Sequence, residues 1–206
     1  MRSNKIAALC VLALLAAGAM AQAPEKKAGA KAAAPAKQAA PAAMPMPKPG
    51  PELKQLAYFA GTWSVQGTMQ PGDFGPGGKW SGTDHNEWFP GGFFLLSHSD
   101  GDMGGMGKMK ELATFGYDTN RKVYTYHAVN SMGEEENSTG TVNGSDWTWT
   151  NDMMMNGKSM KARFLVHEES PTAYTMKFDL SSDGGKTWKT MMDGKATKGG
   201  PAKAAQ

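Results

Sequence analysis

The feature that most restricts the fold is an even succession of short strand-like segments over residues 62–196. Each segment is about eight residues long and ends in a Gly, Asn, Asp or Pro turn, and no long helical pattern interrupts the series. Strands joined by such short connections pair antiparallel with their neighbours in sequence. The sequence therefore predicts a meander that curls into a closed barrel or a flattened sandwich.

Alternation of apolar and polar residues indicates about ten strands and a short helix at residues 52–60 that packs across one barrel mouth. Asn-Gly pairs at residues 143–144 and 156–157 are typical of two-residue hairpins. The predicted strands cover residues 62–69, 79–89, 92–99, 109–117, 122–130, 135–142, 146–154, 160–167, 174–180 and 187–197. We therefore predict an all-β, antiparallel up-and-down barrel, whose interior at this strand number is somewhat wider than side chains alone fill.

The ends of the chain differ in composition from the strand-rich part. Residues 1–21 combine basic residues, a short apolar run and a small-residue cleavage site, which predicts a cleaved signal peptide and a periplasmic or secreted protein. Residues 22–50 are rich in Ala, Pro and Lys and predict a disordered linker, residues 51–198 form the barrel domain, and residues 199–206 are a disordered tail. The apolar run is too short for a transmembrane helix, so no transmembrane segment is predicted.

Charge and cysteine content exclude several functions. The linker holds five lysines and one glutamate, whereas residues 51–198 hold 18 acidic and 14 basic residues. The positive net charge of the chain therefore comes from residues outside the barrel domain, mainly from the signal peptide and the linker. An acidic domain argues against a nucleic-acid partner. The single cysteine, Cys10, leaves with the signal peptide, so neither disulfide nor thiol chemistry is expected of the mature chain.

Several phrases resemble a known family. The opening Gly61, Thr62, Trp63 resembles the Gly-x-Trp signature of lipocalin-like barrels, in which a Trp caps the barrel floor. Further phrases are similar to the bacterial domain-of-unknown-function family 1579 (DUF1579): residues 87–95, 115–118 with 124–126, 140–144 with 147–149, and 193–196. The resemblance covers about residues 51–198 and implies a lipocalin-like barrel, but it implies no activity.

A neighbouring family of barrels, the nitrobindin-like haem proteins, opens with a similar Gly-x-Trp-x-x-x-Gly phrase. Those proteins ligate haem through a His near the last strands, where this chain has Tyr174, Met176, Trp188 and Met191 instead. Haem binding is therefore disfavoured, and no cofactor is predicted.

Candidate site residues come mainly from the aromatic side chains of the predicted inner faces. Such residues line apolar ligand cavities as readily as they fill a core. Among the four scattered histidines, His98 shares a predicted inner face with Phe94. The predicted ligand-contacting residues are Trp63, Trp88, Phe94, His98, Tyr117, Tyr126, Trp149, Phe164 and Phe178.

Metal and catalytic sites are weaker alternatives. Met103, Met106 and Met109 recur at three-residue steps in a Gly-rich loop, and thioethers of this kind select Cu(I), although the same residues also suit an adaptable apolar lid. No nucleophile motif or His-based metal motif is present. The acidic run at residues 134–136 is interpreted as a solvated rim.

The sequence thus favours an exported protein that holds a small apolar or amphipathic molecule in its barrel without transforming it. Three alternatives stay open. The first is an isomerase or hydrolase that uses one cavity acid or base, such as His98 or Asp84. The second is a Met-rich copper-binding protein, and the third is an interaction module whose outer face binds a partner. Oligomeric state is not predicted.

Overall fold

The computed structural model describes residues 46–72 and 75–199. The predicted signal peptide, most of the linker, and all but the first residue of the tail lie outside these residues. Ten antiparallel strands close into a barrel in which each strand pairs with its neighbours in sequence and β1 pairs with β10. The prediction of an all-β up-and-down barrel is therefore confirmed.

The strands agree with the predicted ones to within a few residues. A four-residue helix, α1 (Leu53–Leu56), and a 3-10 turn (Ala57–Phe59) precede the first strand, in place of one continuous helix. The strands are β1 (Gly61–Met69), β2 (Gly78–Trp88), β3 (Leu95–Asp102), β4 (Lys108–Asp118), β5 (Val123–Asn130), β6 (Glu135–Asn143), β7 (Asp146–Met155), β8 (Lys158–Ser170), β9 (Ala173–Ser181) and β10 (Lys189–Lys198). A second 3-10 turn (Gly104–Met106) lies between β3 and β4. No helix in the described ranges is long and apolar enough to cross a membrane.

The third strand differs from its prediction in both start and orientation. Gly91 and Gly92 adopt positive φ, and the Gly92 N–H donates to the Phe89 carbonyl, so residues 89–94 form a loop and β3 begins only at Leu95. Leu95 and Ser97 are buried, whereas Phe94 and His98 are exposed. The sequence Phe-Phe-Leu-Leu has no alternation of its own and so does not indicate which residues face inward, and the face predicted to be the inner one is the outer one.

One end of the barrel, here called the capped end, is closed by α1 and the 3-10 turn that follows it. The indole N–H of Trp63 and the side-chain amide of Asn86 both donate to the Phe59 carbonyl, each at 2.8 Å. The Tyr124 hydroxyl donates to the Glu52 carbonyl at 3.0 Å. These bonds satisfy polar groups inside an aromatic core, and they fix the cap over the barrel floor.

The aromatic core fills the capped half of the interior. The indoles of Trp147 and Trp149 stack with their planes 4° apart, and the rings of Phe59, Phe115 and Tyr124 meet them edge-on. Rings packed this way bury large apolar areas and add favourable edge-to-face contacts. The capped half is therefore densely packed with rings, and the cavity described below lies toward the opposite end, here called the loop end.

Candidate functional site

The barrel wall has a seam at the loop end, between β6 and β7. Pairing between these strands runs from Asn143–Asp146 to Thr139–Thr150 and stops there. Both strands continue, β6 back to Glu135 and β7 on to Met155, each still paired on its other side. The two strands therefore diverge toward the loop end and leave a cleft that leads into the interior.

A cavity of about 530 Å³ occupies this cleft and the adjoining interior. Its volume falls within the range of small-molecule sites. The lining residues come from both sides of the seam and from the inner faces of β4, β5 and β9: Glu111, Ala128, Asn130, Glu134, Glu135, Glu136, Asn137, Asn151, Asp152, Met153, Met154 and Phe178. The cavity thus combines an apolar wall with many oxygen acceptors.

The polar side of the cavity is built around Glu111 of β4 and Glu136 of β6. The Tyr126 hydroxyl donates to a Glu111 carboxylate oxygen at 2.6 Å, and the Ser138 hydroxyl donates to Glu136 at 2.5 Å. Asp84 of β2, hydrogen-bonded to Ser99, belongs to the same interior group. Every second strand from β2 to β6 thus contributes one carboxyl group to the same part of the barrel interior.

Burial controls the protonation of these groups. Desolvation raises the pKa of Asp84, of Glu111 and of Glu136 above the usual carboxyl values, and the negative charges of Glu136 and Asp84 raise the pKa of Glu111 further. Desolvation also raises the pKa of Tyr126 well above that of a free phenol, with the Glu111 charge next in importance. The interior therefore disfavours further negative charge.

The apolar side of the cavity is rich in methionine. Phe178 and Met153 line the cavity, and next to them Met155 and Met160 pack with Phe178 on a small buried cluster of Ala162, Leu180 and Met191. Thioether chains adapt to irregular apolar shapes. This wall can thus follow the shape of an apolar group more easily than the stacked indoles of the capped half can.

The predicted site residues fall into three groups. Phe178 lines the cavity, and Tyr126 lies next to it through its bond to Glu111. The second group belongs to the core of the capped half, either buried or packed against it: Trp63, Trp88, Tyr117, Trp149 and Phe164. Phe94 and His98 lie on the outer surface. The ligand-contacting role of the first two groups stays a prediction.

The prediction that His98 faces the interior is wrong. It pairs with His85 on β2 and Leu112 on β4, all three of which are exposed. The other histidines, His127 and His167, are exposed as well. Among the described residues, the titratable groups in or beside the cavity are carboxyl groups and Tyr126, and Asp84 is the member of the predicted pair that faces inward.

The methionine loop lies elsewhere on the loop end. Met103 and Met106 pack against the main core cluster, and Met109 is half-buried at the start of β4. No group of three or more His, Cys, Asp or Glu residues in the described part of the chain is arranged to hold a metal ion. The copper alternative, which rests on thioethers, stays a prediction.

Sequence reasoning missed the polar half of the site. Glu111 alternates with the apolar residues Ala113 and Phe115 on one face of β4, and Glu136 alternates with Ser138 in the same way on β6. A carboxylate on the inner face of an amphipathic strand is unusual and is the signal that was available. The seam carried no comparable signal, because strand divergence depends on both neighbours.

Comparisons with known proteins agree with this architecture. The structure is similar to the crystal structure of Rv2717c from M. tuberculosis, with a TM-score of 0.50 and 12% identity, over 74% of this chain and 99% of that one. At this identity the likeness shows the fold alone. No curated protein gave a significant match. The family model described as "Protein of unknown function (DUF1579)" matches residues 48–198, which is most of the chain, and the protein therefore belongs to the DUF1579 family.

Proposed function

We propose that this protein is an exported binding protein that holds a small amphipathic molecule in the cavity at the loop end. The single observation that carries the proposal is the cavity of about 530 Å³, with Phe178 and Met153 on one wall and carboxylates and amides on the other. A molecule with an apolar body and a polar head matches both walls. The pattern of residues 1–21 supports export.

The seam between β6 and β7 supports entry from the side of the barrel. Glu135 and Asp152 stand at its two edges, and both are exposed. A ligand entering here can place its polar head against the carboxylates and amides of one wall and its apolar body against Phe178 on the other. The ends of the barrel are less suitable for entry, because the capped end is filled by rings and, between β3 and β4 at the loop end, Met103 and Met106 pack against the core.

Binding of a neutral apolar fluorophore, N-phenyl-1-naphthylamine, tests the proposal. We expect its emission to rise on addition of the purified protein, and Ala128→Phe, which places a ring inside the cavity, to abolish the rise. Val129→Phe is the matched control, because Val129 neighbours Ala128 on β5 but is 53% exposed on the outer face. Absence of binding, or equal binding by Ala128→Phe, would contradict the proposal.

A second candidate function is acid–base catalysis on a molecule bound in the same cavity, as an isomerase or hydrolase would perform. The observation that favours it is the hydrogen-bonded pair of Glu111 and Tyr126 beside the cavity, in which burial raises the pKa of the Glu111 carboxyl group, as burial does for many catalytic acids. In a substrate screen, loss of turnover in Glu111→Gln with fluorophore binding unchanged would favour catalysis. Equal turnover in both proteins would remove this candidate.

A further inference from the structure

We infer that the molecule bound in this cavity carries a positively charged head group on its apolar body. The inference rests on the proposed function and names the ligand class. Its basis is the cavity at the seam together with the charges that line it: five carboxylates, from Glu111, Glu134, Glu135, Glu136 and Asp152. None of the described residues that line the cavity is Lys, Arg or His.

The protein itself leaves most of this charge uncompensated. Glu111 and Glu136 accept hydrogen bonds from neutral hydroxyls, and Glu134 accepts one from the Asn130 amide at 2.8 Å. Of the five carboxylates, only Asp152 forms a salt bridge within the described residues, with Lys161 at 2.9 Å on the exposed side of the wall. Glu111 and Glu136 therefore have no cationic partner in the part of the chain that the structure describes.

Uncompensated carboxylates inside a protein are costly, because burial removes much of their hydration. A cation placed between Glu111 and Glu136 would interact with both across a space of reduced dielectric constant, where attraction is stronger than in bulk water. A carboxylate or phosphate head in the same place would add like charge to the group. The charge pattern thus selects against fatty acids and other anionic amphiphiles.

The apolar wall distinguishes this ligand from a simple cation. Phe178, Met153 and Ala128 give no ligands for a hard metal ion, whereas they fit an alkyl or aryl group. Charge complementarity at the polar wall and apolar burial at the other wall together indicate an organic cation, such as an alkylamine or a quaternary ammonium compound.

Calorimetric titration with three probes that share one ten-carbon tail tests the inference: decyltrimethylammonium, decanol and decanoate, each below its aggregation concentration. We expect the cation to bind the full-length protein roughly tenfold or more tightly than decanoate. Glu111→Gln and Glu136→Gln should each weaken binding of the cation several-fold and leave the affinity for decanol unchanged. Glu169→Gln, an exposed carboxylate near the capped end, is the control that should change neither.

Equal affinities for the three probes, or a cation preference that survives both substitutions, would overturn the inference while leaving the proposed function intact. Failure of all three probes to bind would refute the proposed function and the inference together. Should either interior variant fold poorly, Glu135→Gln at the exposed edge of the seam provides a second measurement. Glu135→Gln should weaken binding of the cation more than binding of decanol. Equal losses of affinity for the two probes would also count against the inference.

Discussion

Gly140 of β6 provides the sharpest test of how the interior is packed. It lies opposite Trp149 on β7 and opposite Tyr124 on β5. A methyl group in place of its hydrogen would lie 2.5 Å from the Trp149 ring, whereas ordinary contacts begin near 3.4 Å. Because the φ of Gly140 is not in the left-handed region, alanine would be acceptable to the backbone, and the conflict is one of space alone.

The ring cannot retreat easily by the distance of roughly 0.9 Å that separates these two values. Trp149 is 5% exposed, stacks on Trp147, and has the Phe115 ring centre 5.6 Å away. Overpacking of this kind costs about 1–3 kcal/mol, and the lower entropy of the unfolded alanine chain offsets about 0.4–1 kcal/mol of it. We expect Gly140→Ala to lower the free energy of unfolding by about 1–2 kcal/mol, or Tm by roughly 2–8 °C.

Urea unfolding followed by tryptophan emission measures this difference. Gly101→Ala is the matched control, because Gly101 also lies in a strand without positive φ, and its added methyl would meet the Ser81 carbonyl oxygen at an ordinary 3.4 Å. The control should be neutral or slightly stabilising. A Gly140→Ala protein within about 0.5 kcal/mol of the wild type would refute the reasoning, since it would mean that Trp149 moves freely inside the barrel.

Three further predictions concern polar contacts. Trp63→Phe removes one of the two buried hydrogen bonds to the Phe59 carbonyl and leaves space where the larger indole packs, so it should lower the free energy of unfolding in urea by about 1–3 kcal/mol. Arg163→Met leaves the Asp179 carboxylate, only 5% exposed, without its cation and should lower the free energy of unfolding by about 3 kcal/mol at neutral pH. Asp183 accepts four hydrogen bonds that hold the pKa of its carboxyl group well below the usual value. Because that pKa is depressed in the folded protein, the contribution of Asp183 to stability is complete above about pH 4 and is lost as the pH falls. The wild type should therefore be more stable than Asp183→Asn at about pH 7, and the difference in their free energies of unfolding should become smaller in acid.

Each of these predictions has a control in the same protein. Trp88→Phe changes a half-buried indole and should lower the free energy of unfolding less than Trp63→Phe does. Equal losses would argue against a role for the hydrogen bond from Trp63 to the Phe59 carbonyl. Lys161→Met breaks an exposed ion pair and should lower the free energy of unfolding by under about 1 kcal/mol. If Arg163→Met lost no more than this, burial of Asp179 would not be what makes its ion pair important. If the difference in free energy of unfolding between the wild type and Asp183→Asn did not depend on pH, the assigned pKa shift of Asp183 would be contradicted.

The sequence was sufficient for the fold because the evidence for it is local. In β8, Met160, Ala162 and Phe164 alternate with charged residues, and the Asn-Gly pair at 156–157 predicts the hairpin before it. Neighbouring strands with short turns leave few topologies, and the family phrases pointed to the same barrel. The prediction failed at β3, where the apolar run Phe93–Leu96 has no period and the Gly91–Gly92 turn delays the strand.

The candidate site depends on contacts that no local pattern contains. The acids on β2, β4 and β6 come close because the register of β3 and β5 between them sets the acids nearly level, and the curvature of the barrel turns that face inward. The seam arises because β6 keeps its pairs with β5, and β7 keeps its pairs with β8, beyond the point where the two strands separate. The strands, their turns and the family could therefore be predicted from the residues alone, since these follow from backbone preferences and alternation within each segment. Which residues face the cavity, and where the cavity opens, became known from the folded barrel, because both depend on strand pairing and side-chain packing between segments far apart in the chain.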